Sequence, residues 1–173
     1  MGELQKAYLK KIGEYLIRRC EKEDLSTVAS INWTSLPEHY SDYFFEGTLN
    51  DLPEAFLVVE KDRMLVGYIM CRIEYGLSIL HKFKLIKKGH IISLAMLELY
   101  RRKGLGLILV QEALKALKEK GCSETYLEVR ATNFSAIALY KKLGFKIIYT
   151  IRGYYRDGED AYTMGKDLNL YYE

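Results

Sequence analysis

The run Arg101-Arg102-Lys103-Gly104-Leu105-Gly106 combines positive charge with two glycines. It follows the apolar run 91–97 and precedes leucines spaced as on one face of a helix. Gly104 and Gly106 let a ligand approach the main chain, and the first N–H groups of a helix attract anions. The run therefore predicts a binding loop for a diphosphate. The same spacing also occurs in a basic turn that precedes an ordinary helix.

Hydrophobic periodicity predicts the elements that position this loop. The predicted order is β-α-α-β-β-β-α-β-α-β-β, a mixed α/β fold. The strands are expected at 15–20, 55–60, 64–73, 90–97, 125–130, 146–151 and 161–164, and the helices at 22–32, 41–49, 105–120 and 133–143. Residues 76–88, rich in lysine, are predicted to form a long excursion from the sheet.

Length and composition indicate one globular domain at residues 15–168, between an N-terminal extension at 1–14 and a C-terminal tail at 169–173. The net charge of only +3 argues against wholesale binding to nucleic acid. Cys20, Cys71 and Cys122 lie far apart and lack CxxC spacing, so we expect neither a disulfide framework nor a metal site. The amino terminus has no uninterrupted apolar run, and a cytoplasmic location is expected.

Two motifs at the right separation carry a resemblance to a known family. Arg101-x-x-Gly104-x-Gly106, followed by Asn133-x-x-Ala136-x-x-Leu139-Tyr140-x-x-Leu143-Gly144-Phe145, resembles the GNAT superfamily of acetyl-CoA-dependent N-acetyltransferases. The resemblance implies the GNAT fold, a central mixed, mostly antiparallel sheet flanked by helices.

Four shorter segments narrow the resemblance to protein N-terminal acetyltransferases, in particular the NatA catalytic subunit and its archaeal relatives. These segments are Leu36-Pro37-Glu38-His39-Tyr40, Gly67-Tyr68-Ile69, Leu127-Glu128-Val129-Arg130 and Gly153-Tyr154-Tyr155. His39 departs from the eukaryotic pattern, which more often has Asn there, and the basic excursion at 76–88 resembles archaeal members.

The resemblance implies acetyl-CoA as the acetyl donor and no metal. Gly104, Leu105 and Gly106 are expected to hold the CoA diphosphate, with added positive charge from Arg101, Arg102 and Lys103. The main chain of Leu94 and Met96 would pair with pantetheine like an added strand. Asn133 and Tyr140 would lie near the pantetheine and the thioester sulfur, where a phenol can donate a proton to the leaving thiolate.

The resemblance also implies polar groups around the substrate amine: Glu38, His90 and Glu128. Glu38 and Glu128 would remove the amine proton, and His90 would help to hold a water molecule. Strand alternation allows this, since His90 shares a face with Leu94, and Glu128 shares one with Arg130. Each residue has a structural alternative. His90 could end a strand at the surface, Glu128 could pair with Arg130, Glu38 could cap a helix, and Tyr140 could be a core residue. The peptide groove would be lined by Leu36, Pro37, Glu38, Tyr40, Tyr154 and Tyr155.

The predicted function is transfer of an acetyl group from acetyl-CoA to the free α-amino group of proteins or peptides, directly and without an acyl-enzyme. One alternative is a GNAT enzyme that acts on lysine side chains or small amines. A second is a ribosome- or RNA-associated CoA-binding protein, in which the segment His81–Lys88 forms the contact. If the chain is an enzyme, we expect it to associate with the ribosome but not to bind a specific nucleic acid or a membrane.

Overall fold

The computed structural model describes residues 7–170 of the 173-residue chain. These residues divide into two compact units. The first unit contains the residues up to Cys71 together with Ser93–Ala113, and the second contains Arg72–Ile92 and the residues from Leu114 onward. The ends of the predicted extension (1–6) and of the predicted tail (171–173) lie outside the described residues.

Eight strands and four α-helices occur within residues 7–170. The strands are β1 (Lys10–Ile12), β2 (Tyr15–Arg19), β3 (Phe56–Lys61), β4 (Met64–Leu77), β5 (Leu85–Met96), β6 (Glu124–Arg130), β7 (Lys146–Ile151) and β8 (Ala161–Asp167). The helices are α1 (Leu25–Ser35), α2 (Asp42–Asp51), α3 (Leu105–Glu119) and α4 (Phe134–Lys142). The hydrogen-bonded strand order is β1-β2-β3-β4-β5-β6-β8-β7. The predicted fold class, a mixed and mostly antiparallel sheet with helices, is confirmed.

In the first unit, antiparallel pairing joins β1 to β2, β2 to β3 and β3 to β4. The β3–β4 turn places Asp62 and Arg63 at φ 49° and 64°, the left-handed values of a tight hairpin. Arg18 is buried in this unit and donates hydrogen bonds to Asp24 at 2.6 Å and to Glu60 at 2.7 Å. These two carboxylates neutralise a charge that burial alone would strongly disfavour.

In the second unit, β5 pairs in parallel with β6 over only three residue pairs, from Lys88–Glu124 to His90–Tyr126. In contrast, β6 pairs with β8 along its whole length. Because side chains alternate across a strand, Tyr126 and Glu128 lie on one face of β6, while Leu127 and Val129 face the opposite, buried side. The paired ends of β5 and β6 therefore bring polar side chains together on one face of the sheet.

Three local predictions were wrong. The predicted order lacks β1, a three-residue strand paired with β2 whose charged sequence gives no apolar alternation. The predicted excursion at 76–88 is only a loop at 78–84, because β4 continues to Leu77 and β5 begins at Leu85. The helix expected from Lys22 begins at Leu25, since Lys22–Asp24 forms a 3₁₀ turn closed by a capping box between Glu21 and Asp24.

Candidate active site

The glycine loop of the first unit leads directly into helix α3, and Gly106 lies within that helix. Arg102 and Gly104 adopt positive φ values of 64° and 77°, and α3 begins immediately afterwards at Leu105. A Cβ atom added at Gly104 would meet nothing within 4 Å, so this side of the main chain is open. Arg102 and Lys103 are exposed beside it. Exposed cations and the N-terminal amides of a fifteen-residue helix make this loop suitable for a phosphate group.

The end of β5 is braced against this loop. Arg101 Nε donates to the Met96 carbonyl oxygen at 2.9 Å. On the neighbouring strand, a Cβ atom at Gly67 would collide with the Met96 side chain and would lie 2.9 Å from the Ala95 carbonyl oxygen. Gly67 therefore permits a close approach that any larger residue would obstruct. Leu94, half-buried, lies two residues before Met96 in the same strand.

The second unit brings two predicted site residues into contact. His90 Nε2 lies 2.7 Å from Glu128 Oε2, and the side chains are only 11% and 19% exposed. His90 belongs to the last pair of the β5–β6 ladder, and Glu128 lies two residues further along β6 on the same face. The alternative in which His90 merely ends a strand at the surface is wrong, because the residue is 8% exposed and lies inside β5.

Two residues that the sequence reasoning missed complete this cluster, Glu74 on β4 and Tyr126 on β6. The Tyr126 hydroxyl donates to the Glu74 carboxylate, with O···O distances of 2.6 and 2.8 Å. Glu74 Oε1 lies 3.5 Å from His90 Nδ1, and the Tyr126 ring stacks on the His90 ring with centroids 4.3 Å apart. The available signal was the alternation of polar Arg72 and Glu74 at the end of an apolar strand. We call these four residues the histidine cluster.

The electrostatics of the histidine cluster favour a charged Glu74 and a neutral Tyr126. Burial acts to raise the pKa of Glu74. The Tyr126 hydrogen bond and the charges of His90 and Arg72 outweigh it, so the pKa lies below its usual value. Burial, followed by the hydrogen bond to Glu74, raises the pKa of Tyr126 far above that of a free phenol. The carboxylate therefore keeps its negative charge beside the imidazole, and the phenol keeps its proton.

Glu38 lies in the first unit, in the segment between α1 and α2. Asn32 of α1 donates to the Glu38 carbonyl oxygen at 3.1 Å and to the Tyr68 hydroxyl at 3.1 Å. That hydroxyl lies 2.7 Å from Ser93 Oγ on β5. Burial raises the pKa of Tyr68, despite the opposing hydrogen bonds from Ser93 and Asn32. A buried polar chain from strand to helix thus fixes the main chain at Glu38.

The neighbours of Glu38 include aromatic residues packed in pairs. Tyr40 stacks on Phe44 with centroids 4.9 Å apart, and His39 stacks on Trp33 at 4.0 Å. Leu36 is half-buried and Pro37 is exposed. His39 Nε2 also lies 2.8 Å from the Leu36 carbonyl oxygen, so this imidazole contributes to the loop conformation.

The remaining predicted residues lie in the second unit. Asn133 caps α4 by accepting a hydrogen bond from the Ala136 amide at 3.2 Å. Tyr140, on the same helix, is 5% exposed and makes an edge contact with Phe145 at 5.4 Å. Tyr154 and Tyr155 contact each other edge to face, and the Arg130 guanidinium lies 4.1 Å from the Tyr155 ring centre.

The three cysteines are free and buried. Burial raises the pKa of Cys20 to about 12 and raises that of Cys122 as well. Thiols of this kind are poor nucleophiles at neutral pH. Over residues 7–170, no group of His, Cys, Asp and Glu is placed to hold a metal ion. No helix in that range is long and apolar enough to cross a membrane.

Comparisons with known proteins also point to acetyltransferases. The family model described as acetyltransferase (GNAT) family matches residues 22–145. A protein named N-alpha-acetyltransferase from Sulfurisphaera tokodaii is 50% identical over 164 residues, which are 94% of this chain and 98% of that protein. A protein of the same name from Saccharolobus solfataricus is 44% identical over 157 residues, 90% of this chain and 94% of its own length.

Solved structures resemble the fold. Ard1 from Thermoplasma volcanium superposes with a TM-score of 0.77 at 31% identity, covering 89% of this chain and 97% of that one. Arabidopsis thaliana Naa50, in complex with the bisubstrate analogue CoA-Ac-MVNAL, gives a TM-score of 0.77 at 27% identity and covers 89% and 99% of the two chains.

Proposed function

Because this chain belongs to the acetyltransferase (GNAT) family, we propose that it acetylates the free α-amino group of proteins or peptides with acetyl-CoA. Two relatives named N-alpha-acetyltransferase, which are 44% and 50% identical to this chain, support the proposal. The observation that carries the proposal is the 2.7 Å contact between His90 and Glu128. An ammonium group must lose a proton before it can attack a thioester, and this pair offers a proton acceptor. Residues 15–168 act as one catalytic domain.

Acetyl-CoA supplies an acetyl group activated as a thioester. The loop residues Arg101, Arg102, Lys103, Gly104, Leu105 and Gly106 hold its diphosphate, which is supported by the open main chain at Gly104 and the helix start at Leu105. The main chain of Leu94 and Met96 extends along the pantetheine. Asn133 fixes the start of α4 through its cap, and the Tyr140 hydroxyl protonates the departing thiolate.

His90 and Glu128 take up the proton of the substrate ammonium, through a water molecule where the distance requires one. The neutral amine then forms a bond to the thioester carbonyl carbon, and the C–S bond breaks as the thiolate leaves. No protein thiol takes part, which the burial of the cysteines supports. Glu38 orients the amine, supported by the Asn32 hydrogen bond that fixes its main chain.

Candidate contacts of the peptide substrate are Leu36, Pro37, Glu38 and Tyr40, and also Tyr154 and Tyr155. The aromatic pairs support this role because they hold ring faces rigidly for an apolar side chain. We place the enzyme in the cytoplasm, where its three free cysteines stay reduced. The loop at 78–84 meets the ribosome or the nascent chain, supported by the exposure of Lys82, Phe83 and Lys84.

A substrate panel tests the function. The protein is incubated with acetyl-CoA and peptides that begin with Ser, Ala, Met-Leu or Met-Glu, beside N-terminally blocked peptides that contain lysine, and spermidine. Mass spectrometry then locates the acetyl group. We expect acetylation of free amino termini and none of the blocked peptides. Acetyl groups found only on lysine side chains or on spermidine would assign the chain to the lysine or small-amine branch of the family.

A further inference from the structure

The segment 36–40 joins α1 to α2 and contains neither helix nor strand. Its two ends are fixed nonetheless. The Leu36 amide donates to the Asn32 carbonyl oxygen at 3.0 Å at the end of α1, and the Ser41 side chain caps the start of α2. Glu38 lies in the middle of the segment, so its position depends on contacts that the segment makes between these two ends.

Two side chains hold the main chain around Glu38. The buried Asn32 amide donates to the Glu38 carbonyl oxygen at 3.1 Å. On the solvent side, His39 Nε2 lies 2.8 Å from the Leu36 carbonyl oxygen, a normal length for an N–H···O hydrogen bond. Because a carbonyl oxygen can only accept, the His39 Nε2 atom carries a proton and donates it. This second bond closes a short loop from Leu36 to His39, and Glu38 lies inside that loop.

The His39 ring is held in turn by Trp33 of α1. The two rings stack with centroids 4.0 Å apart and planes 23° from parallel. Trp33 is 68% exposed and His39 is also exposed, so neither ring contributes to the buried core. The stack restricts the orientation of the imidazole and therefore lowers the entropy lost when Nε2 bonds to the Leu36 carbonyl. A substitution of His39 should change this loop and leave the fold intact.

We propose that His39 is a positioning residue, which closes the loop from Leu36 against Trp33 and so holds the Glu38 carboxylate toward the substrate amine. The inference rests on the proposed function, in which Glu38 orients the amine. Without the His39 donor, the Leu36 carbonyl can turn toward solvent and the half-buried Glu38 can adopt other positions. A peptide then binds with its amine misaligned, which slows transfer to it.

Two variants of His39 separate the hydrogen bond from the stack. His39→Phe keeps a ring against Trp33 and removes the donor, whereas His39→Gln keeps an amide donor and removes the ring. With a short peptide that begins with Ser, His39→Phe should lower kcat by about 2- to 12-fold, the usual effect of one neutral hydrogen bond. KM should stay within about twofold, since the amine is misaligned but the peptide still binds. His39→Gln should restore kcat to within about twofold.

Thr34→Val is the matched control. Thr34 Oγ1 also makes an exposed side-chain hydrogen bond to the main chain, to the Ser30 carbonyl oxygen at 3.1 Å, but this bond lies within α1. Its loss should leave kcat unchanged. Calorimetry should give the same Kd for CoA in all these variants, because the proposed donor-binding residues lie elsewhere in the chain.

A double-mutant cycle tests whether His39 acts through Glu38. In the Glu38→Gln background, the charge that orients the amine is already absent, so adding His39→Phe should cause no further fall in kcat. Equal fold losses in both backgrounds would overturn the proposal. Full kcat in His39→Phe would overturn it as well, and so would a His39→Gln variant that is as slow as His39→Phe.

The anchoring of the loop has a readout that does not depend on activity. Trp33 is the only tryptophan of the chain, so its indole N–H gives a single signal in a ¹H–¹⁵N NMR spectrum. The stacked imidazole shifts this signal through its ring current, and His39→Gln should therefore move it. A signal that stays in place would overturn the proposal, even in an active enzyme. If the signal moves but the unsubstituted protein acetylates no peptide, the proposed function fails and the anchoring of the loop by His39 stands.

Discussion

The contact between His90 and Glu128 predicts that Glu128→Gln disables the chemical step and spares donor binding. Glutamine keeps the shape of the side chain but loses the carboxylate that accepts a proton 2.7 Å from Nε2. With side chains only 11% and 19% exposed, solvent can replace little of this interaction. The substitution therefore removes one charge-assisted hydrogen bond from the protonated form of the pair.

The expected loss follows from that contact. A hydrogen bond to a charged group contributes about 1.5–3 kcal/mol. Since 1.36 kcal/mol corresponds to a tenfold change in rate, the contact alone predicts a fall in kcat of about 10- to 150-fold. Complete loss of a positioned base extends the range to about 10⁴-fold. We therefore expect a fall of at least about tenfold.

The assay measures release of CoA thiol at saturating acetyl-CoA with a peptide that begins with Ser. Calorimetry on the same variant should give an unchanged Kd for CoA, and Glu119→Gln provides the control for loss of an exposed carboxylate. The deficit should also shrink between pH 7 and 9. A peptide α-amino group has a pKa of about 7.7–8.0, so high pH supplies neutral amine without help from the protein.

A folded Glu128→Gln variant with kcat within twofold of the unsubstituted enzyme would refute this reasoning. If Glu38→Gln instead lost activity with the same pH dependence, the base would be Glu38, and the His90–Glu128 pair would be an internal ion pair. A deficit that stays constant between pH 7 and 9 would indicate that Glu128 binds peptide and does not remove a proton.

Three further outcomes are expected. Gly106→Glu should weaken CoA binding in calorimetry, because a carboxylate in the first turn of α3 repels the diphosphate, whereas Gly47→Glu on α2 should not. Replacing the exposed Lys82 and Lys84 by Ser should leave kcat on a short peptide unchanged and reduce ribosome co-sedimentation at low salt. Glu74→Gln should lower the free energy of unfolding at pH 7 in urea titrations. Because the folded-state pKa of Glu74 lies below its unfolded value, its contribution is present above the unfolded pKa of about 4.3 and disappears as the pH falls through the folded value.

Much of the fold follows from the sequence because apolar periodicity is strong where elements pack on both sides. The helix α3 and the strands β6 and β8 follow their predicted ranges within a few residues. The loss of accuracy at residues 76–88 has a physical cause. Lys87 and Lys88 favour a loop in the sequence pattern, yet both lie in strand β5. There the Lys87 ammonium group lies over the Tyr75 ring and the Lys88 ammonium group over the Tyr126 ring. Aromatic rings on neighbouring strands thus accommodate these charges. The sequence pattern of β5 alone cannot show those rings, so it predicts a loop.

The histidine cluster shows the corresponding limit for the site. The resemblance suggested His90 and Glu128, and strand alternation allowed them to share a face, but alternation within β4 cannot tell which strand lies beside Glu74. The strand order places β4 beside β5, and the register Lys88–Glu124 to His90–Tyr126 brings Tyr126 level with His90. In that arrangement Tyr126 stacks on His90 and donates a hydrogen bond to Glu74. For Glu38, the Asn32 hydrogen bond fixes the main chain. The role of its carboxylate therefore depends on the rates of Glu38→Gln and Glu128→Gln measured side by side.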